Sequence, residues 1–175
     1  MKRSDIRPLP AFFDRYILLV DDLEIDEAFA QSVDELGKLD IDLLGKVGSK
    51  TYAPGKWTLH DIFQHIIDTE RVHSYRALRF ARNDQTLLPG FDQDLFAQHT
   101  QADRRTLQNL LHECKAVRQS TMALFRSFDE DMLQRKGATS MGGEISVLGF
   151  GFTIIGHQLH HLRIIREKYL PLAAG

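Results

Sequence analysis

Apolar residues that are separated alternately by three and four positions are the feature that most constrains the fold of this chain. One such stripe comprises Ile25, Phe29, Ser32, Leu36, Leu39 and Leu43, and another comprises Leu107, Leu110, Cys114, Val117, Thr121, Leu124 and Phe128. This spacing places side chains on one face of an α-helix, so each stripe predicts a helix that packs against a core. Leucine, which suits helices, occurs 23 times, whereas the strand-favouring valine occurs 6 times. We therefore predict an all-α protein.

Capping and breaking residues divide the chain into four long helices. Thr58 and Asp61 have the spacing of a capping box, and Ser146 is a suitable N-cap for the last helix. The predicted helices cover residues 25–43, 58–83, a segment from about 100 or 103 to 128, and 146–169, with a short helix at 91–96. The connections that flank the third helix are long, so at least one is expected to cross the bundle. Gly137, Gly142 and Gly143 predict a loose connection before the last helix, and the absence of internal repeats predicts a single domain over residues 1–175.

Charge and cysteine content exclude several classes of function. The formal net charge is −2 and the isoelectric point is about 6.4, so no chain-wide positive field would attract nucleic acid. A single cysteine cannot form an intrachain disulfide, and no apolar stretch follows the first five residues, so we expect a cytoplasmic protein. The longest apolar run, residues 147–155, is less than half of the ~20 residues that a membrane-spanning helix needs. No nucleotide-binding or serine-hydrolase motif is present.

Histidines on the last predicted helix are the strongest candidates for chemistry. His157 and His161 are four positions apart and share a helix face with apolar neighbours, so both imidazoles are predicted to point inward. Buried imidazoles need a partner for each ring nitrogen, which aliphatic and phenyl groups do not provide. A metal ion held by both rings would meet that need. The null hypothesis, in which paired histidines on a helix have structural or surface roles, weighs about equally with the metal hypothesis.

A third ligand would have to come from another helix. His65 is the leading candidate because it lies at the margin of the inward face of the second predicted helix. His73 competes with it on helical angle alone, and the sequence does not decide between them. His112 has no such setting and is predicted to lie on the surface. Cys114 belongs to the second apolar stripe and is predicted to be a packing thiol.

Arginines and acidic residues form a second, weaker group of candidates. Four arginines, at positions 71, 76, 79 and 82, follow one another along the second predicted helix and could bind a phosphate or carboxylate. Ion pairs with nearby acidic residues are the simpler explanation. The acidic and aromatic segment after Pro89 could bring Asp92 and Asp94 toward a metal pocket, near Arg76 and Arg79. These four residues are our candidates for substrate binding.

Several segments, taken together and in order, resemble one protein family. They are residues 53–58 (Ala-Pro-Gly-Lys-Trp-Thr), 65–71 (His-Ile-Ile-Asp-Thr-Glu-Arg), 75–79 (Tyr-Arg-Ala-Leu-Arg), 89–94 (Pro-Gly-Phe-Asp-Gln-Asp) and 156–162, which contains His157, His160 and His161. The chain resembles the DinB-like superfamily, in its YfiT-like metal-dependent hydrolase branch, from about Phe13 to Leu170.

That resemblance implies a four-helix bundle with up-down-down-up connectivity. It also implies a divalent ion, commonly zinc or nickel, held by three histidines that match His65, His157 and His161. The wider superfamily includes S-transferases that use low-molecular-weight thiols such as bacillithiol, mycothiol or glutathione, and a mycothiol-dependent isomerase. The resemblance further implies a homodimer and a small-molecule substrate.

The functional hypothesis is therefore a metal-dependent enzyme in which three imidazoles hold an ion that activates water or a thiol. The reaction would be hydrolysis or thiol transfer. The alternative is a non-catalytic metal-binding or stress-associated homodimeric module whose ion serves stability alone.

Overall fold

A computed structural model describes residues 1–140 and 143–174 of the chain. Helices account for most of it, in the order α1 (Asp14–Ile17), α2 (Ile25–Gly37), α3 (Ile41–Val47), α4 (Leu59–Ala81), α5 (Gln93–His99), α6 (Leu107–Arg126), α7 (Glu130–Gln134) and α8 (Val147–Ile164). A short antiparallel hairpin, β1 (Lys136–Ala138) and β2 (Glu144–Ser146), precedes α8. A π-helical turn and a 3-10 turn follow it as far as Ala174. The prediction of an all-α protein is confirmed.

The four long helices α2, α4, α6 and α8 form the bundle. Pairs of cross-helix contacts define their directions: Cys114 with Phe63 and Ser74 with Thr121 for α4 and α6; His65 with His157 and Phe80 with Phe150 for α4 and α8; Phe29 with Phe125 and Ser32 with Arg118 for α2 and α6; and Ser32 with Gln158 and Glu35 with Arg166 for α2 and the segment that continues α8. Residue numbers rise together in the contacts between α4 and α6 and in those between α2 and α8, so the helices of each pair are parallel. Helix α4 is antiparallel to α8, and α2 is antiparallel to α6. The chain therefore follows the up-down-down-up path that the family resemblance implies.

Local capping explains where the helices begin. Thr58 and Asp61 form the predicted capping box at the start of α4, and the Ser146 hydroxyl accepts a hydrogen bond from the Gly149 amide at the start of α8. Helix α6 starts later than predicted, after Thr106, because Gln101 has a left-handed backbone conformation with φ of 51°.

Two sequence predictions about local structure are wrong. The first stripe does not form one helix over residues 25–43, because α2 ends at Gly37 and the Asp40 carboxylate caps a separate helix, α3, through the Leu43 amide. The segment predicted as a loose connection forms the hairpin instead, in which Gly137 pairs with Ile145. Gly142, which contributed to that prediction, lies outside the described residues.

A layer of buried polar residues divides the core into two apolar clusters. One cluster surrounds Phe150 and Phe80, and the other surrounds Phe63 and Leu162. The layer between them contains one residue from each long helix, namely Ser32, Glu70, Arg118 and Gln158, and all four are buried. Arg118 Nε and Nη2 donate to the two carboxylate oxygens of Glu70 at 2.8 and 2.9 Å, and Nη1 donates to the Ser32 hydroxyl. Gln158 donates to the Ser32 carbonyl at 2.8 Å, so the layer connects all four helices.

Candidate metal centre

Three histidines converge at the level of the polar layer. His65 lies in the second turn of α4, and His157 and His161 lie in the last two turns of α8. Because the two helices are antiparallel, these levels coincide. His157 Nε2 is 2.9 Å from His65 Nε2 and 3.1 Å from His161 Nε2. The ligand atoms of all three residues lie within 4.8 Å of one another.

Burial keeps all three imidazoles neutral at pH 7. Their exposed fractions are 7% for His65, 5% for His157 and 8% for His161. Burial, with a smaller contribution from His160, lowers the pKa of His65 to about 4. Burial and the neighbouring histidines hold the pKa values of His157 and His161 well below the ordinary histidine range. Neutral rings present nitrogen lone pairs, which is the form that a metal ion requires.

The hydrogen bonding within the cluster is incomplete. A neutral imidazole nitrogen either donates one N–H or accepts with one lone pair, so the two contacts to His157 Nε2 cannot both be full hydrogen bonds. His161 Nδ1 is buried, and it has no hydrogen-bond partner among the described residues. Nitrogens that share one zinc ion at 2.0–2.1 Å in a tetrahedral arrangement lie roughly 3.3 Å apart, close to the separations observed here. The three residues therefore fit a divalent ion better than they fit one another.

Aromatic residues from outside the bundle hold the imidazoles in place. The Trp57 ring lies 4.7 Å from that of His65, and the Tyr16 ring stands edge-on to His157 at 5.3 Å, measured between centroids. Tyr16 can approach because α8 has a glycine at position 156. A Cβ atom there would lie 1.9 Å from the Tyr16 carbonyl oxygen. The segment around α1 thus packs directly on the backbone of the helix that carries two of the histidines.

A cavity of about 370 Å³ opens beside this cluster. His65 and His157 form part of its wall, and Thr69 and His73 continue that wall along the same face of α4. The N-terminal segment and the crossover between α4 and α6 supply the other walls: Phe12, Phe13, Arg15, Tyr16, Gly90, Phe91 and Gln93. The volume is within the range of small-molecule sites, which is roughly 300–1,000 Å³.

His73 does not join the three-histidine cluster, although the sequence left it as a competitor of His65. It is buried two turns further along α4, where its ring contacts Phe13 and Phe150. Burial, aided by Arg76 and His65, lowers its pKa to about 3, and its Nδ1 atom has no hydrogen-bond partner in the described part of the chain. His73 thus contributes a neutral polar group to the wall of the cavity.

The structure places the four candidate substrate-binding residues in different surroundings. Arg76 lines the cavity. Arg79 forms an ion pair with Asp84 and does not line it, and Asp92 caps α5 by accepting from the amides of residues 94 and 95. Asp94 lines a separate cavity of about 200 Å³ that reaches His161. A role of these residues in substrate binding remains a prediction.

Other predictions concern single residues. Cys114 is buried in the core, as predicted, and burial raises the pKa of its thiol to about 12, so it is not a reactive thiol. His112 is exposed, also as predicted. Tyr16 and Arg15 were not predicted as site residues, because the short helix α1 lies outside the long apolar stripes. A glycine in the middle of the apolar face of α8 was the available signal that another backbone comes close.

The fold and site together define an all-α bundle protein whose buried three-histidine cluster fits a metal-dependent function. The family model of the DinB superfamily matches residues 13–165, and the chain belongs to that superfamily. Among the helices of the described residues, none is long and apolar enough to cross a membrane.

Similar proteins carry related descriptions. A protein of Oceanobacillus iheyensis named "Putative metal-dependent hydrolase OB0413" is 28% identical over 120 residues, which are 67% of this chain and 68% of that protein. YfiT from Bacillus subtilis, described as "a probable metal-dependent hydrolase with an unusual four-helix bundle topology", superposes with a TM-score of 0.66 at 15% identity. That comparison covers 89% of this chain and 84% of YfiT.

A second solved structure, a mycothiol-dependent maleylpyruvate isomerase, superposes with a TM-score of 0.61 at 10% identity. The comparison covers 93% of this chain and 62% of the isomerase. At these identities the two structures support the four-helix bundle fold.

Proposed function

We propose that this protein is a metal-dependent enzyme in which His65, His157 and His161 bind one divalent ion and activate water or a thiol for attack on a small molecule. The observation that carries the proposal is the convergence of three buried, neutral imidazoles beside a cavity of about 370 Å³. A structural zinc site normally has four protein ligands, whereas three ligands leave coordination positions open for substrate or water.

The protein's own residues supply position and desolvation. The antiparallel α4 and α8 fix the three nitrogens on rigid helices, and Trp57 and Tyr16 limit the movement of the rings. Thr69 Oγ1 lies 3.4 Å from His65 Nδ1, the ring nitrogen that does not face the other two histidines, and is its hydrogen-bond partner. When bound, a divalent ion would polarise a carbonyl group and lower the pKa of water or a thiol. His73, which stays neutral at physiological pH, offers the substrate a hydrogen-bonding group in the wall of the cavity.

The names of the relatives support hydrolysis, and the isomerase neighbour supports a role for a low-molecular-weight thiol. Zinc and nickel are the ions we propose first, because imidazole ligands suit both. A homodimer, a cytoplasmic location and the absence of nucleic-acid partners remain predictions, as does the single-domain organisation of residues 1–175.

The second candidate function is a non-catalytic module in which the ion stabilises the bundle. The distribution of the three histidines over α4 and α8 favours this module, because one ion would link the two helices. This candidate and the enzyme make the same prediction about metal content, but only the enzyme predicts turnover.

Metal content and turnover therefore have to be measured on the same preparations. We expect about one zinc or nickel ion per chain by elemental analysis. His161→Ala should lose most of the ion, whereas His112→Ala, which changes an exposed histidine on α6, should retain it. Wild-type protein that contains no ion and takes up none on titration would refute the proposed site.

Zinc, nickel and manganese forms are then assayed against esters, amides and pairs of a thiol with an electrophilic acceptor, with His65→Ala as the control. Turnover in the wild type that disappears in His65→Ala supports the enzyme. A metal-loaded wild type without turnover on any substrate favours the structural module. Turnover that persists in His65→Ala after chelation would show that the ion is not the catalyst.

A further inference from the structure

Two arginines face the cavity without a carboxylate partner. Arg76 of α4 donates to the Pro89 carbonyl at 2.8 Å, and Arg15 of α1 lies over the rings of Phe12 and Tyr16. Within residues 1–140 and 143–174, neither forms an ion pair, although nine other ion pairs are formed. On α4 itself, Arg71 is paired with Glu113 and Arg79 with Asp84. Both arginines that line the cavity thus lack an acidic partner, whereas Arg71 and Arg79 on α4 have one.

Arg76 is partly withdrawn from water, and burial lowers its pKa. Its single hydrogen bond to a carbonyl leaves most of its five N–H donors available. A half-buried cation without an anion is unfavourable, and this cost is recovered when an oxyanion binds. Arg15 has a different setting at the exposed rim, where two rings hold its guanidinium in one orientation.

Aromatic rings surround the same space. Phe91 lies 5.9 Å from the Arg76 guanidinium, and Tyr16 contacts both the Arg15 guanidinium and the His157 ring. Phe12 is 39% exposed at the rim and adopts φ of 72°, a backbone conformation that residues other than glycine rarely adopt. Residues held in this conformation cluster at active sites and ligand-binding sites. The walls therefore combine cations with apolar surface.

We propose that this cavity takes a small molecule with a carboxylate or phosphate at one end and an apolar or aromatic body. Arg76 and Arg15 bind the oxyanion, the rings of Phe12 and Phe91 contact the body, and the reactive bond points toward His65 and His157. The orientation of the reactive bond rests on the proposed function, whereas the choice of an anionic ligand rests on the two arginines.

The test is the affinity of three probes that share a phenyl group: 3-phenylpropanoate, phenyl phosphate and the neutral 3-phenylpropanamide. Dissociation constants are measured by titration calorimetry on zinc-loaded and on chelator-treated protein. Wild type is compared with Arg76→Gln, Arg76→Lys and Arg15→Gln. Arg71→Gln is the matched control, since Arg71 lies on the same helix and pairs with Glu113 away from the cavity. Thermal unfolding and zinc content of each variant show whether the fold and the histidine cluster are intact.

We expect at least one anion to bind about tenfold or more tightly than the amide, as a charge-assisted hydrogen bond implies. Arg76→Gln should weaken the binding of that anion at least about tenfold, Arg76→Lys should weaken it less, and neither should change amide binding. Arg15→Gln should show a smaller loss of anion affinity, and Arg71→Gln none. The anion that binds more tightly distinguishes a carboxylate substrate from a phosphate.

Some results would overturn the inference and leave the proposed function in place. These are equal affinity for anions and amide, no binding of any probe, or anion binding that needs zinc and is insensitive to both arginines. Arginine-dependent anion binding by a protein that never takes up metal would support the anionic ligand and refute the metal-dependent function.

Discussion

Replacement of Gly156 by alanine tests the close contact between α1 and α8. The new Cβ atom would lie 1.9 Å from the Tyr16 carbonyl oxygen and 2.5 Å from its carbonyl carbon. Both obstructing atoms belong to the backbone, so no side-chain rotation relieves the clash and one helix must move. Overpacking of this kind costs about 1–3 kcal/mol, with larger values when backbone has to shift. Alanine recovers up to ~1 kcal/mol through its better helix propensity.

We therefore expect Gly156→Ala to lower the free energy of unfolding by about 2 kcal/mol, since the backbone clash places the cost at the upper end of that range. For a chain of this size each kcal/mol corresponds to roughly 2–4 °C, so the Tm should fall by about 4–8 °C. Thermal and urea unfolding followed by circular dichroism measure both quantities. Zinc affinity should fall as well, because Tyr16 packs against His157.

The matched control is Gly45→Ala in α3, where the added Cβ atom meets no atom within 4 Å. The same substitution should stabilise the protein there by about 0.5–1 kcal/mol through helix propensity and leave zinc affinity unchanged. If Gly156→Ala unfolds at or above the wild-type temperature, the close backbone contact does not exist, and our account of how Tyr16 is positioned is wrong.

Two further predictions concern buried polar groups within the bundle. Glu70→Gln leaves the Arg118 guanidinium buried without a carboxylate, and urea unfolding should show a loss of about 3–5 kcal/mol. The double variant with Glu70→Leu and Arg118→Met should recover a large part of it, and a double variant less stable than Glu70→Gln would contradict this reasoning. His73→Phe should move the midpoint of acid unfolding to lower pH. Because burial lowers the pKa of His73 from 6.5 to about 3, the unfolded chain binds the extra proton between these values. Stability is therefore lost as pH falls from 6.5 toward 3, by at most roughly 5 kcal/mol for this residue. An unchanged acid midpoint in His73→Phe would show that His73 is not buried in neutral form.

The helical framework could be predicted because its signals are local. Thr58 with Asp61 and Ser146 begin α4 and α8 where their side chains predict, since a cap needs only residues within one turn. The break between α2 and α3 was missed because Leu39 and Leu43 continue the three-four spacing across it. Only the Asp40 cap opposes that continuity, and one capping residue is a weaker signal than a stripe of six positions.

The candidate site could be predicted only in part. The spacing of His157 and His161 on one helix predicts their convergence, but the choice between His65 and His73 depends on how far α4 is shifted along α8. That shift is a property of packing across the whole bundle. The same limit applies to Arg118 and Glu70, which are 48 residues apart in sequence and pair only because α4 and α6 are parallel.

The parallel arrangement of α4 and α6 has a consequence for how this architecture acquires specificity. Two consecutive parallel helices require the chain to return along the length of α4, about 34 Å for its 23 residues. That return passes the open side of the three-histidine cluster, where Gly90, Phe91 and Gln93 enter the cavity wall. It contributes little to the apolar clusters, and loops of this kind tolerate substitution far better than packed helices do. New ligand preferences can therefore arise by changes in the returning segment while the histidine-bearing helices stay intact.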